Sequence, residues 1–307
     1  MDTDRTLART KHFRLEQLDA GVYAAIHVDG GAAIGNAGIV DLGDRTLIYD
    51  TFFTPQAGED LRAAAEALTG RPVDVVINSH YHNDHIWGNQ SFISPDTDII
   101  STRETPRLIV ETRGHDDYEA FLGSAEASLE STLAAFQTTE DEEDRRQTAV
   151  WIDYNQSLVD AKPILDVRAP KMTFVEHLVF HGTERSAELI PYAQGHSADD
   201  VVLFLPQERI AFMADLLFID YHPWVGAGDP GNLQRILEDV SQLAPRRVVP
   251  GHGPVGTATS LDMMRQYISV LEDLVGEMIE GGESEERIDE MAIPAPFGDW
   301  LFAAFFP

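Results

Sequence analysis

The chain has 307 residues, with 22 Lys+Arg against 52 Asp+Glu and a formal net charge of −30. At 43% hydrophobic residues it can bury a large core, which excludes wholesale disorder, and its charge excludes nucleic-acid phosphates and anionic membranes as partners. It contains no cysteine, so disulfides, thiolate metal sites and a Cys nucleophile are excluded too.

In chain order, Gly21–Asp29, Ala32–Val40 and Arg45–Asp50 are short apolar or alternating runs between Gly and Asp turns, and read as strands. Thr54 as N-cap and Pro55 at the first position open a helix that runs to Leu68, with Gly70 as its stop. Val73–Ser79 is a β-branched run typical of a buried strand. A polar segment, His80 to Asn89, follows, then a strand at Asp98–Ser101. From 103 to 165 the pattern turns helical. Phe121, Ala125, Leu129, Leu133 and Phe136 make one apolar stripe, and the acidic run Glu140–Asp144 reads as a solvated helix start. Strands resume afterwards, so residues 103–165 are expected to be a helical insertion within one domain spanning 1–307. Met172–Phe180, Glu188–Tyr192, Val201–Leu205 and Arg209–Ala214 read as a meander. Leu233–Leu243 and Leu261–Glu280 read as helices, with a strand Arg246–Val249 between them. The aromatic end Phe297–Phe306 is expected to pack on the core or on a partner chain, which leaves a homodimer open. The N-terminus has no apolar signal-peptide core, and no apolar run reaches the roughly 18 residues of a spanning helix, so a cytoplasmic protein is expected.

The chemistry sits in the histidines. His80-Tyr81-His82-Asn83-Asp84-His85 follows a buried strand directly. In extended chain His80 and His82 point the same way, while Asp84 and His85 fall where a helix would start and face the same spot from another side. Downstream lie Gly195-His196-Ser197, Asp215 at the end of the apolar strand Ile210–Ala214, and Gly251-His252-Gly253 just after Val248-Val249. All fall at strand ends, as a site at one edge of a sheet requires. Imidazoles and carboxylates without thiolate suit zinc, and also iron or manganese.

These motifs, in this order, resemble the metallo-β-lactamase superfamily, from about Gly30 to Val255. The resemblance implies an αββα sandwich with a dinuclear site on one edge. His80, His82 and His196 would hold one metal, Asp84, His85 and His252 the other, and Asp215 would bridge them. Asp50 matches the Asp that the family places behind the metal loop. Two such ions, Zn2+ in the first instance, lower the pKa of bound water towards ~7 and polarise the bond under attack, so hydrolysis is the expected reaction, with Asp84 and Asp215 at its centre.

The substrate is expected to be a small ester, lactone, thioester or amide. The sequence is most similar to the broad glyoxylase-like, glyoxalase II-related hydrolase group. Within the superfamily, β-lactamases have Cys or Ser where Asp215 stands, and acyl-homoserine lactonases have Tyr where Phe218 stands. A β-lactamase and a mononuclear iron persulfide dioxygenase are the alternative readings. His222 and Trp224, in a Gly-rich loop, are pocket candidates, and Trp87 reads as core. His12, His27, His115, His177 and His181 read as surface or strand histidines.

Overall fold

The alternating run at 13–19 lies outside the three strands read first, yet it starts the fold. In the computed structural model, which describes residues 10–114, 116–284 and 291–306, β1 (Phe13–Asp19) pairs antiparallel with β2 (Val22–His27). Then come β3 (Ala37–Asp41) and β4 (Thr46–Tyr49), both antiparallel to their predecessors. Helix α1 (Pro55–Thr69) crosses over next. The Thr54 side chain accepts from Ala57 N–H at its start, and Gly70, at φ 74°, caps its end. Strand β5 (Val75–Ile77) returns parallel to β4. The short α2 (Asn83–Ile86) and β6 (Asp98–Thr102) follow.

Four helices then intervene: α3 (Glu104–Gly114), α4 (Asp116–Gly123), α5 (Ala125–Thr138) and α6 (Glu142–Ala161). The acidic run is the start of α6, where Asp141 caps the N–H groups of Glu143 and Asp144 and the negative charges face the positive end of the helix dipole. Only the first half of the apolar stripe enters a core: Ala125 is buried and Phe121 packs beside it, whereas Leu133 is 38% exposed. Phe136 lies instead beneath the guanidinium of Arg145, 4.0 Å from it.

Strand β7 (Met172–Phe174) completes a seven-stranded sheet in the order β1 to β7. The run Met172–Phe180 is therefore two strands, not one. β8 (Leu178–His181) starts a second sheet, with β9 (Ser186–Tyr192), β10 (Asp200–Leu205) and β11 (Ile210–Phe218) as an antiparallel meander. After α7 (Pro230–Gln242), β12 (Arg247–His252) lies parallel on β11, and α8 (Ala258–Gly281) follows.

The two sheets face each other through Val40, Tyr49, Ile77, Leu189, Leu203 and Phe212. Helix α1 covers the outer face of the first sheet through Ala57 and Leu61, and α7 and α8 cover the second through Leu233, Ile236 and Leu261. The result is a four-layer αββα sandwich. Strand β10 explains its own uniform apolarity: Val201, Leu203 and Leu205 feed the inter-sheet core, while Val202 and Phe204 feed the helix-side core. The C-terminal aromatics pack on their own chain. Trp300 stacks on Tyr267 at 5.2 Å, and Phe297 meets both. Among the described residues no helix is long and apolar enough to cross a membrane.

Candidate metal centre

The first metal motif leaves β5 through Asn78 and Ser79. Asn78 and Asn89 exchange side-chain amide hydrogen bonds of 3.0 and 2.8 Å, closing the loop that carries His80 to His85. Thr51 N–H donates to His85 O at 2.9 Å, so the end of β4 holds the same loop from behind. His196 comes from the turn after β9. Asp200 fixes that turn by accepting from the N–H groups of Gly195, His196 and Ser197 at 3.0–3.1 Å. Burial still pushes the Asp200 carboxyl up to about 8.

Asp215 lies inside β11 rather than just past its end. The strand is kinked there: Ala214 has φ 44°, and the pairing with β12 shifts register on both sides of it. His252 is the last residue of β12, not a loop residue. Both strands run longer than the apolar stretches read in the sequence: β11 continues past Asp215 to Phe218, and β12 ends on the buried His252.

Two groups of side chains result, one of His80, His82, His196 and Asp215, the other of Asp84, His85, His252 and Asp215. In the first, His82 Nδ1 lies 2.9 Å from both His80 Nε2 and His196 Nε2, and Asp215 Oδ2 lies 3.3 Å from His196 Nε2 and 4.0 Å from His80 Nε2. In the second, Asp215 Oδ1 is 3.0 Å from His85 Nε2 and 3.5 Å from His252 Nε2, and Asp84 Oδ2 is 3.4 and 3.2 Å from the same two nitrogens. Ligands about 2.0–2.2 Å from one tetrahedral ion lie roughly 3.3–3.6 Å apart, so both groups have the right size. His85 Nε2 and Asp215 Oδ1 are also buried without a hydrogen-bond partner, as ligand atoms of a cation are. The residues fit a dinuclear metal site.

Asp50 serves both groups. It is fully buried, at φ 61°, and its Oδ2 accepts from His85 Nδ1–H at 2.8 Å and from Ser79 Oγ–H at 2.8 Å. Ser79 Oγ in turn accepts from His80 Nδ1–H at 2.9 Å. Each Nδ1 proton is thus engaged behind the site, which leaves each Nε2 lone pair facing it. Electrostatics separates the two groups. Burial holds His80 well below the usual imidazole range and His82 at about 3, so the first group is neutral nitrogen donors. Burial opposes charge at His252 as well, but Asp215 and Asp84 raise it to about 9.

An 850 Å³ cavity opens over both groups. His82, Asp84, His196, Asp215 and His252 form its floor. Its walls are largely aromatic: Tyr118 and Phe121 come from α4, Trp151 and Tyr154 from α6, and Phe302 and Phe305 from the C-terminal segment. Trp224 lines it too, 5.1 Å from the His82 ring, and Trp87 does so while stacked on Phe53 at 4.9 Å. His222 is placed elsewhere. It is fully buried beneath the C-terminal segment, with Nδ1 2.9 Å from Tyr267 Oη and its ring against Trp300 and Phe306. His12 is buried rather than on the surface and accepts from Ala32 N–H, and His115 lies outside the described residues. Asp200, Ser79, Arg113, Phe302 and Phe305 went unread in the sequence. Only Asp200 carried a local signal, a buried-type Asp pair just after Gly-His-Ser.

Two imidazole-carboxylate groups sharing one carboxylate, at the edge of an αββα sandwich, define an α/β protein able to bind metal. The chain belongs to the metallo-beta-lactamase superfamily, whose family profile matches residues 30–252. No curated protein matches its sequence. Among solved structures it is similar to a metallo-beta-lactamase from Pontibacter korlensis, 17% identical, TM-score 0.61, covering 84% of this chain and 99% of that one. It is similar also to a metallo beta lactamase from Hirschia baltica, 16% identical, TM-score 0.60, covering 84% and 98%. At such identities the likeness is one of fold.

Proposed function

We propose that the protein is a dinuclear metal-dependent hydrolase of a small, largely apolar ester, lactone, thioester or amide. The observation that carries this is Asp215, whose two carboxylate oxygens each face a different group of ligand-type side chains. Zinc is the proposed ion, with iron and manganese suited to the same donors. A metal pair bound there would lower the pKa of water towards ~7 and polarise the carbonyl under attack. Asp84, at the cavity floor, orients the attacking water and accepts its proton. The aromatic walls exclude bulk water and hold an apolar substrate body over the ligands. The partner is a small molecule, since a −30 chain repels nucleic acid and anionic membranes.

The test is elemental analysis of the purified protein beside a panel of lactones, esters, thioesters, β-lactams and phosphoesters. About two ions per chain with carbonyl-ester turnover support the reading. One iron per chain with oxygen uptake would replace it by a persulfide dioxygenase-like oxidation, and turnover confined to β-lactams by a β-lactamase.

A further inference from the structure

The cavity walls are mostly rings and aliphatic side chains, with Asn83, Thr112 and Asn155 as neutral polar members and one charged exception. Arg113, on the last turn of α3, is the single Lys or Arg among the described residues that lines the cavity. Its Nη1 donates to Val167 O at 3.2 Å, and its charge acts on the Tyr118 phenol beside it. Val167 and Tyr118 line the same cavity, so the cation is held in place by the wall itself. Among the described residues its hydrogen-bond partner is a carbonyl, which does not neutralise it. Arg113 is exposed whereas the ligand-type histidines at the floor are buried, which places the cation towards the mouth.

The part of the wall formed by the C-terminal segment is also held in place. Phe302 is held at φ 59°, a strained backbone for a residue with a side chain. Its ring lies 5.5 Å from Trp151 and 5.7 Å from His252. Gln147 of α6 clasps the segment from both sides, donating to Trp300 O at 2.8 Å and accepting from Ala303 N–H at 3.1 Å. The floor, the ring-lined body and the single cation are three parts of one recognition surface.

We propose that this cavity selects a mono-anionic, ring-bearing substrate: an arylalkyl or polycyclic carboxylate whose scissile acyl bond lies over the two metal-ligand groups and whose carboxylate is held by Arg113. The proposal rests on the hydrolase reading for its reaction. Water oxygen bonds to the acyl carbon, the acyl–oxygen or acyl–nitrogen bond breaks, one water proton goes to the leaving atom, and the other is released as the new acid ionises. No electron is transferred. A volume of 850 Å³ suits a drug-sized ligand, not a two-carbon ester. Stacked and edge-on rings favour flat rigid bodies over flexible chains. One guanidinium matches one carboxylate edge-on through two N–H groups, and the wall offers no second cation for a phosphate dianion.

The test uses full-length, metal-loaded protein and a matched pair of fluorescent probes. 8-Anilinonaphthalene-1-sulfonate and N-phenyl-1-naphthylamine share one ring body and differ by the sulfonate, which stands in for the carboxylate. Three of the four tryptophans, Trp87, Trp151 and Trp224, line the cavity, so quenching of protein emission reports binding without turnover. The wild type is expected to bind the anionic probe about tenfold more tightly than the neutral one. Arg113→Gln should abolish that preference while leaving the neutral probe unchanged, and Phe302→Ala should weaken both. Equal affinities in the wild type, or failure of both probes to bind, overturn the proposal. So does a preference that survives in Arg113→Gln, because the anion then sits on the metal ions. Metal content and far-ultraviolet circular dichroism of each variant establish that it folds. A protein that discriminates through Arg113 but hydrolyses nothing overturns the hydrolase reading alone. One that hydrolyses esters with no effect of Arg113→Gln on either probe overturns this proposal alone.

Discussion

Gly251 stands directly against the carboxylate of Asp215, the proposed bridge between the two groups. A Cβ at this position would lie 1.9 Å from Asp215 Oδ1, 2.8 Å from Ala214 C and 2.9 Å from Asp215 N. Ordinary contact is roughly 3.5 Å, so in Gly251→Ala the carboxylate must retreat by about 1.5 Å. The oxygen displaced is the one 3.0 Å from His85 Nε2 and 3.5 Å from His252 Nε2. Metal–ligand distances tolerate only about 0.2 Å, so the second group loses a ligand. A misplacement of this size costs about 100-fold in rate, and overpacking costs about 1–3 kcal/mol of stability. In a chain of this size that is a fall of roughly 2–4 °C in Tm per kcal/mol. Elemental analysis should find metal content falling from about two ions towards one, with hydrolysis down at least ~100-fold and the fold retained. Gly253→Ala is the control. At φ 100°, with its added carbon 1.9 Å from Ile219 O, it should cost stability without touching Asp215. A Gly251→Ala protein with two ions and near wild-type turnover would refute the assignment of Asp215 as the bridge.

Asp50→Asn should weaken metal binding about 10–100-fold in chelator competition, because Asp50 orients His85 directly and His80 through Ser79; unchanged affinity would remove it from the site. Chelation should lower Tm, by the equivalent of about 4 kcal/mol where free metal stood at a thousandfold excess over Kd, and refilling should restore it. His222 gives a pH signature: burial lowers its pKa from 6.5 to about 4, so the folded state binds fewer protons than the unfolded one between those values. The stability it contributes is present above pH 6.5 and lost as pH falls towards 4, a difference of order 3 kcal/mol, so His222→Gln should show a shallower acid loss in denaturant titrations than the wild type. Equal slopes would place the acid loss in other groups.

The metal motifs were legible because their signals are local. His80 and His82 share a side of extended chain, and the strand before them is apolar throughout. Thr54, Pro55 and Gly70 bounded α1 by the same local chemistry. The errors occur where tertiary packing decides. Strand β1 carries Arg14 and Glu16 on its exposed side and lacks the apolar weight of its neighbours. Between β7 and β8 the chain changes sheets at Val175-Glu176-His177, with no Gly or Pro to announce it. His222 and Trp224 are two residues apart, yet one is buried under the C-terminal segment and the other faces the cavity. Phe302 and Phe305 lie 50 or more residues from any ligand-type side chain in the chain, so only the folded structure brings them to His252 and Trp151.

The backbone carries the last part of the argument. Among the described residues nine non-glycine residues have positive φ, and five of them adjoin the site: Ile34, Asp50, Gln194, Ala214 and Phe302. Asp50 is itself the residue behind the ligands, Gln194 precedes Gly195-His196, and Ala214 immediately precedes Asp215. Ile34 and Phe302 line the cavity. Each such conformation costs of order 1–3 kcal/mol and persists only where its surroundings over-determine it. Here they do: Phe52, another of the nine, is wholly buried in the core under α1, and Asp50 is tied by hydrogen bonds to Ser79 and His85. The kink at Ala214 has a geometric purpose, since it breaks the register of β11 on β12 at the point where the Asp215 carboxylate reaches both ligand groups. The ligand-type side chains thus come from buried turns, from the end of β12 and, at Asp215, from a kink that interrupts the β11–β12 register.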